Sequence, residues 1–271
     1  MLAASRGWRH EGHTIGLVPT MGALHAGHMS LVERACRENS RVVVSVFVNP
    51  IQFGPKEDLA QYPSSPQHDL ALLQQAGVAA VYVPTAAVMY PPQASTRVRV
   101  SGVGEILEGA ARPGHFEGVA TVVAKLFNAA VPDRAYFGQK DAQQVAVVKR
   151  LALDLDTGVN IVVCRTVREA DGLALSSRNA YLGPQERQSA SCLSFALERA
   201  ARAYKSGERD LKELRRGILE VLQAEPLAKV DYLELVDPDT FIPPGTLAVM
   251  AVWIGKTRLI DNHDLAVPFS G

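Results

Sequence analysis

The run VVVSVFV at residues 42–48 is apolar at nearly every position, whereas a strand with one wet face would alternate. A strand buried on both faces belongs in a parallel sheet between layers of helices. Shorter β-rich runs stand at residues 15–18, 78–83, 135–137 and 159–164. Between them, residues 28–38, 67–76, 119–130 and 141–153 carry helical spacing. This alternation predicts an α/β, Rossmann-like, doubly wound parallel sheet over residues 1–166. After Thr166 the rhythm changes. Gly183-Pro184 reads as a helix entry. Ala190, Leu193, Leu197, Ala200 and Tyr204 share one helical face, and Leu211, Leu214, Ile218 and Val221 repeat the pattern. Strands are expected at 231–236, 248–253 and 257–260. Residues 167–271 thus read as a second, smaller α+β domain.

Hydrophobic residues are 47% of the 271, enough to form a sizeable core. Basic and acidic residues balance at 28 each, so a nucleic-acid or anionic-membrane surface is not indicated. The apolar runs are too short for a transmembrane helix, and residues 1–11 do not read as a signal peptide. Cys36, Cys164 and Cys192 are far apart and odd in number, which supports neither a disulfide framework nor a zinc site. The simplest expectation is a reduced, cytoplasmic protein without nucleic-acid or membrane partners.

The segment IGLVPTMGALHAGH, residues 15–28, runs from a strand into a helix. Ligands of open α/β sheets sit at the carboxyl ends of strands, and a helix N-terminus there presents N–H groups suited to phosphate. Gly22 and Gly27 permit close backbone approach. His25 and His28, three apart, can face one ligand and offset charge on a phosphate or its leaving group. An accidental or structural pair would be the reading for two isolated histidines. Here the pair coincides with a glycine-bearing strand-to-helix loop, which favours function.

Phe137, Gly138, Gln139, Lys140 and Asp141 repeat the strand-to-helix design. Lys140 offers phosphate a flexible point charge. Asp141 suits ribose hydroxyls or a helix cap, and Gln144, one turn on, suits a hydroxyl or carboxylate. In READGLALSSRN, residues 168–179, Ser176, Ser177 and the Arg178 fork fit triphosphate oxygens, a solvated loop being the ordinary alternative. Gln52, in FVNPIQFG, leaves the second strand at the same sheet edge. Arg112 and His115 suit an anion as readily as an ordinary loop. Asp69, with His68, opens a helix, where an acid is ordinarily a dipole partner.

PTMGALHAGH, FVNPIQFG, ARPGHFEGV, YFGQKDAQQ, TVREADGLALSSRN, VDYLELVDP and GKTRLIDN occur in this order over roughly residues 14–263. Jointly they resemble the pantoate–β-alanine ligase family of the nucleotidylyltransferase superfamily. The resemblance implies ATP, pantoate and β-alanine as substrates, a pantoyl-adenylate intermediate, and pantothenate, AMP and pyrophosphate as products. It also implies Mg²⁺, with no metal ligand identified, and a homodimer. ATP contacts are implied at Met21, Gly22, Ala23, Leu24, His25, Ala26, Gly27 and His28. Further ATP contacts are implied at Gly138, Gln139, Lys140, Asp141, Val167, Leu175, Ser176, Ser177 and Arg178. Gln52 and Gln144 would hold pantoate. His28 would be the principal catalytic residue, with His25, Lys140, Ser176, Ser177 and Arg178 stabilising the departing charge. The C-terminal domain would act as a lid that excludes water.

Three departures from the family pattern stand out. The chain before the first strand is short, so an N-terminal helix is expected to be missing or differently started. Leu175 stands where methionine is usual, a volume-conserving exchange. His68 stands where some relatives carry an acid, which weakens any metal role for Asp69. Two other readings remain open on motifs alone. A nucleotidyltransferase acting on a phosphate acceptor would not need Gln52 and Gln144, and a non-enzymatic nucleotide-binding regulator would not need Lys140 and Arg178.

Overall fold

The structure is a computed structural model, describing residues 1–55 and 57–269. The chain divides into two compact units: residues 1–138 with 143–164, and residues 139–142 with 165–271.

The first unit opens with helix α1 (Leu2–His10), then alternates: β1 (Ile15–Thr20), α2 (Ala26–Glu38), β2 (Arg41–Val46), α3 (Pro66–Gln75), β3 (Ala80–Tyr82). Two short helices, α4 (Ala86–Met89) and α5 (Glu108–Ala111), precede α6 (His115–Ala130), β4 (Arg134–Gly138), α7 (Ala142–Asp154) and β5 (Asn160–Cys164). All five strands are parallel, in the order β3-β2-β1-β4-β5. The order reverses between β1 and β4, the switch point at which such sheets bind ligands. Each strand feeds both faces. Val18, Val42, Val44, Tyr136 and Val162 pack with Leu31, Val32, Ala35 and Leu73 of α2 and α3. Ile15, Leu17, Val43, Ala135 and Phe137 pack with Val119, Val123, Leu126, Val148 and Leu151 of α6 and α7. VVVSVFV is apolar at nearly every position because Val42, Val43 and Val44 are buried against the helices on the two faces of the sheet.

The N-terminal helix expected to be missing or differently started is present as α1, which begins at Leu2. The segment is brief yet anchored: Trp8 packs on the core, Ser5 is buried, and Arg9 donates to the Val131 carbonyl at 3.0 Å.

The second unit contains α8 (Pro184–Ser189), α9 (Cys192–Lys205) and α10 (Leu211–Ala224). An antiparallel sheet follows, β6 (Ala228–Val236), β7 (Leu247–Ile254) and β8 (Thr257–Asp264), with β7 in the middle. Leu193, Leu197 and Ala200 of α9 and Leu214, Ile218 and Leu222 of α10 cover Ala248, Met250, Val252 and Ile254 of β7. Two details differ from the periodicity. The helix entered at Gly183-Pro184 is interrupted at Ala190 and Ser191, and Leu222, rather than Val221, joins Leu214 and Ile218 as the buried residues of α10.

Candidate active site

In the first unit, the loop leaving β1 is shaped by backbone conformation. Gly22 has φ +84° and Ala23 φ +51°, both left-handed. A Cβ on Gly22 would lie 3.1 Å from Asp69 Oδ2 and 3.2 Å from Val46 Cγ1, so glycine is required. Thr20 Oγ1 donates to the Ser45 carbonyl at 2.8 Å, tying the loop's root to β2. The Asp69 carboxylate, 2% exposed, accepts from Ala23 N–H at 2.9 Å and Leu24 N–H at 2.8 Å. Asp69 therefore clamps the loop through both oxygens, a role its place at a helix start did not disclose.

His25 is the N-cap of α2. Its Nδ1 accepts from Gly27 N–H at 3.1 Å, and His28 Nδ1 accepts from His25 N–H at 3.4 Å. The rings lie 4.1 Å apart between centroids. This is a capping box built from two imidazoles. With Nδ1 accepting in both, each neutral ring carries its proton on Nε2. Met21, Ala23, His25, Gly27 and His28 are half-buried, Ala26 is exposed, and Gly22 and Leu24 are buried. The pair is thus structural and also presents N–H donors at a helix N-terminus.

Gln52 follows β2 in the turn Pro50–Gln52 and is buried. Its Nε2 lies 3.1 Å from Met21 Sδ, and its Oε1 accepts from Asn49 Nδ2 at 3.1 Å. The Gln52 carbonyl accepts from His115 Nδ1 at 2.9 Å. His115 Nε2 is 3.0 Å from Arg112 NH1, and Arg112 grips Glu57 through Nε and NH2 at 2.8 and 2.6 Å. Burial, then the Arg112 charge, lowers the His115 pKa to about 4, so the ring is neutral. Nδ1 donates and Nε2 accepts from the guanidinium. Despite burial, Arg112 holds the Glu57 carboxyl below its ordinary range. Arg112 and His115 are thus engaged in holding the Gln52 turn.

Gly138 ends β4. Gln144 is half-buried on the first turn of α7 and is not among the partners of Gln52. Its neighbour Gln143 is buried and holds the preceding loop. Its Oε1 accepts from Glu108 N–H at 3.1 Å, and its Nε2 donates to the Val103 and Ile106 carbonyls at 2.7 Å each. A glutamine pair in sequence does not reveal which member faces inward; the helix phase does.

In the second unit, Gln139, Lys140 and Asp141 form a 3₁₀ turn. Lys140 Nζ lies 3.3 Å from Asp141 Oδ1. Asn262 Nδ2 donates to the Gln139 and Lys140 carbonyls at 3.0 and 2.8 Å, and Gln139 Nε2 donates to Asn262 Oδ1 at 3.2 Å. Leu175 N–H donates to the Val167 carbonyl at 2.9 Å, pairing these two half-buried residues across a tight turn. Gly172 in that turn has φ +87° and packs against Ser194. Buried Arg168 reaches the Asp261 carboxylate at 2.7 and 3.0 Å and the Gly172 carbonyl at 3.0 Å. Ser176 caps the 3₁₀ turn Ser177–Tyr181 by accepting from Arg178 N–H at 3.2 Å. Asn179 Nδ2 anchors that turn to Glu169 Oε1 at 2.9 Å and the Ala174 carbonyl at 3.1 Å. The polar stretch around Ser176, Ser177 and Arg178 is therefore a built turn.

Among the described residues no three His, Cys, Asp or Glu side chains group as metal ligands, and no helix is long and apolar enough to cross a membrane.

Known proteins fit this geometry closely. The family model described as pantoate-beta-alanine ligase matches residues 1–264. A pantothenate synthetase of Gluconobacter oxydans is 54% identical over 257 residues, covering 93% of this chain and 94% of the relative. One of Heliobacterium modesticaldum is 54% identical over 267 residues, covering 97% and 95%. The crystal structure of pantothenate synthetase from Thermus thermophilus superposes with a TM-score of 0.90 at 49% identity, covering 93% of each chain. That of the Francisella tularensis pantoate-beta-alanine ligase, complexed with β-γ ATP and β-alanine, gives 0.78 at 35% identity, covering 98% of this chain and 96% of that one. With a whole-chain family match, half-identical relatives and the same fold, this chain belongs to the pantoate–β-alanine ligase family.

Proposed function

We propose that the chain condenses pantoate with β-alanine in two steps, and that the reciprocal histidine cap of α2 is the feature that drives the first. Pantoate's carboxylate oxygen attacks the α-phosphate of ATP, forming pantoyl-adenylate as the bond to pyrophosphate breaks. The neutral amine of β-alanine then attacks the acyl carbonyl. The amide forms, AMP leaves with the bridging oxygen, and the amine loses its proton. Negative charge gathers on phosphate oxygens in the first step, where fixed N–H donors act most strongly. The His25 and His28 imidazoles, preset by the cap to carry Nε2–H, supply such donors beside the N-terminal end of the α2 dipole.

In this reading residues 21–28, Gly138, Gln139, Lys140, Asp141, Val167, Leu175, Ser176, Ser177 and Arg178 bind ATP. Lys140, Ser176, Ser177 and Arg178 oppose the charge of the leaving pyrophosphate. Gln52 and Gln144 hold pantoate. Asp69 is committed to the loop and, among the described residues, no carboxylate cage stands beside it, so a Mg²⁺ ion would arrive with the nucleotide and be held through it. Such an ion would neutralise triphosphate charge. A cytoplasmic homodimer accords with the resemblance; sedimentation equilibrium tests the dimer.

The decisive measurement follows AMP and pyrophosphate with ATP, Mg²⁺ and pantoate, with and without β-alanine. Sustained AMP release that requires both organic substrates supports the ligase. Turnover with a phosphate acceptor and none with this pair overturns it.

A further inference from the structure

We propose that Tyr90 is a positioning residue for the pantoate subsite: through Asn49 it locks the orientation that the Gly118 carbonyl dictates, and so holds the Gln52 amide with its NH₂ group turned toward Met21. The inference rests on the reading of Gln52 as a pantoate ligand.

The polarity can be traced from a fixed reference. The Gly118 carbonyl can only accept, so the Asn49 atom 3.1 Å from it is the NH₂ nitrogen. That nitrogen's second hydrogen points at a Gln52 atom 3.1 Å away, which must then be the oxygen, Oε1. Asn49 Oδ1 is left at the opposite end, where the Tyr90 hydroxyl donates to it at 2.8 Å. Asn49 is 1% exposed, so each of these bonds replaces one that water cannot make.

Tyr90 suits this task. It caps the end of α4, its ring packs 6.3 Å from that of Phe47, and the Arg97 guanidinium sits 5.9 Å from its centroid. Burial pushes its pKa up to about 12, so the hydroxyl keeps its proton at working pH.

The outcome is a directional subsite. Gln52 Oε1 is occupied, and Nε2 faces Met21 Sδ, a weak acceptor that a substrate oxygen would replace. The subsite favours a ligand that brings an oxygen acceptor, a carboxylate or hydroxyl of a hydroxy acid, and disfavours an ammonium there. Without the Tyr90 hydroxyl, Asn49 Oδ1 loses its donor, and the amide pair is held in its orientation by the Gly118 carbonyl alone.

The test is a double-mutant cycle of Tyr90→Phe and Gln52→Ala, reading KM for all three substrates and kcat, with thermal melting as a folding control. Pantoate Kd by calorimetry replaces KM where turnover is too low. Tyr90→Phe is expected to raise KM for pantoate about five- to twentyfold, as loss of one buried hydrogen bond does. KM for ATP and β-alanine should stay within about twofold, and the effect should vanish in the Gln52→Ala background. An equal Tyr90→Phe effect with and without Gln52, a shift in all three KM values, or no shift overturns the proposal. If Gln52→Ala alone leaves pantoate binding unchanged, the assignment of Gln52 to pantoate fails as well.

Discussion

His25 and His28 each serve the backbone through Nδ1, which ties two separable properties to one residue. His28→Ala removes a capping acceptor, costing about 1 kcal/mol of stability. It also removes an imidazole donor, which should lower the adenylation rate about 10²- to 10³-fold while ATP Kd changes by less than about threefold. His28→Asn, with an oxygen able to cap, should recover the melting temperature and not the rate; pyrophosphate release in single turnovers with calorimetric ATP binding separates the two. Recovery of the rate by asparagine would remove imidazole chemistry from the step. His115 predicts a pH effect. Its folded pKa is lowered to about 4, chiefly by burial and then by Arg112, with Glu57 and Glu108 acting the other way. Between about pH 6.5 and 4 the unfolded chain therefore binds a proton that the folded chain does not. Its contribution to stability is whole above pH 6.5 and is lost on acidification, up to about 3 kcal/mol. Denaturant unfolding from pH 7 to 4 should fall more steeply for the native sequence than for His115→Gln. The lowered pKa of His263 is common to both proteins and drops out of the comparison. Parallel curves would refute the assignment.

At the scale of elements, the turn Pro50–Gln52 depends on how closely α6 approaches it. A Cβ on Gly118 would lie 2.6 Å from Gln52 Cα and 2.6 Å from the Ile51 carbonyl oxygen. Gly118→Ala must therefore push the helix and the turn Pro50–Gln52 apart, and we expect a loss of about 2–4 kcal/mol in chemical unfolding with a raised KM for pantoate. Unchanged values for both would show that the contact yields freely. Much of this layer was legible in advance. VVVSVFV announced a doubly buried strand, and the runs around Leu17, Ala135 and Val162 announced its neighbours, because burial on both faces leaves a plain apolar signature. The glycine loop ending in two histidines also announced the passage from β1 into α2. What stayed hidden depends on tertiary partners. Asp69 looks like an ordinary first-turn acid until Ala23 and Leu24 bring their N–H groups to it from 46 and 45 residues away. Gln143 and Gln144 are equivalent as letters and separate only by helix phase. Helix α1 lacks a long apolar stripe, and its anchors, Trp8, Ser5 and Arg9, are of three unlike kinds. Tyr90 carried no signal at all, since its partner Asn49 lies 41 residues upstream.

At the scale of the whole molecule, each unit has its own apolar core and one of the two tryptophans: Trp8 in the first, Trp253 in the second. The second unit also buries an ion pair, with the Arg168 and Asp261 side chains 3% and 1% exposed. Asp261→Asn leaves that guanidinium without its counter-charge, which costs about 3–5 kcal/mol in comparable sites. Fluorescence melting in a Trp8→Phe background should report the loss through Trp253. The Trp253→Phe background should show a smaller shift through Trp8, and equal shifts would mean that the two units melt as one. The second unit is discontinuous, for residues 139–142 belong to it although they are made between β4 and the body of α7, whose first residue is Ala142. Asn262 recognises the Gln139 and Lys140 carbonyls across sequence separations of 123 and 122 residues. On the ribosome, that short turn is therefore synthesised long before its partner exists. The C-terminal unit cannot close its own hydrogen-bond ledger until the last strand has emerged, and a chain released before Asn262 would leave those two carbonyls to water.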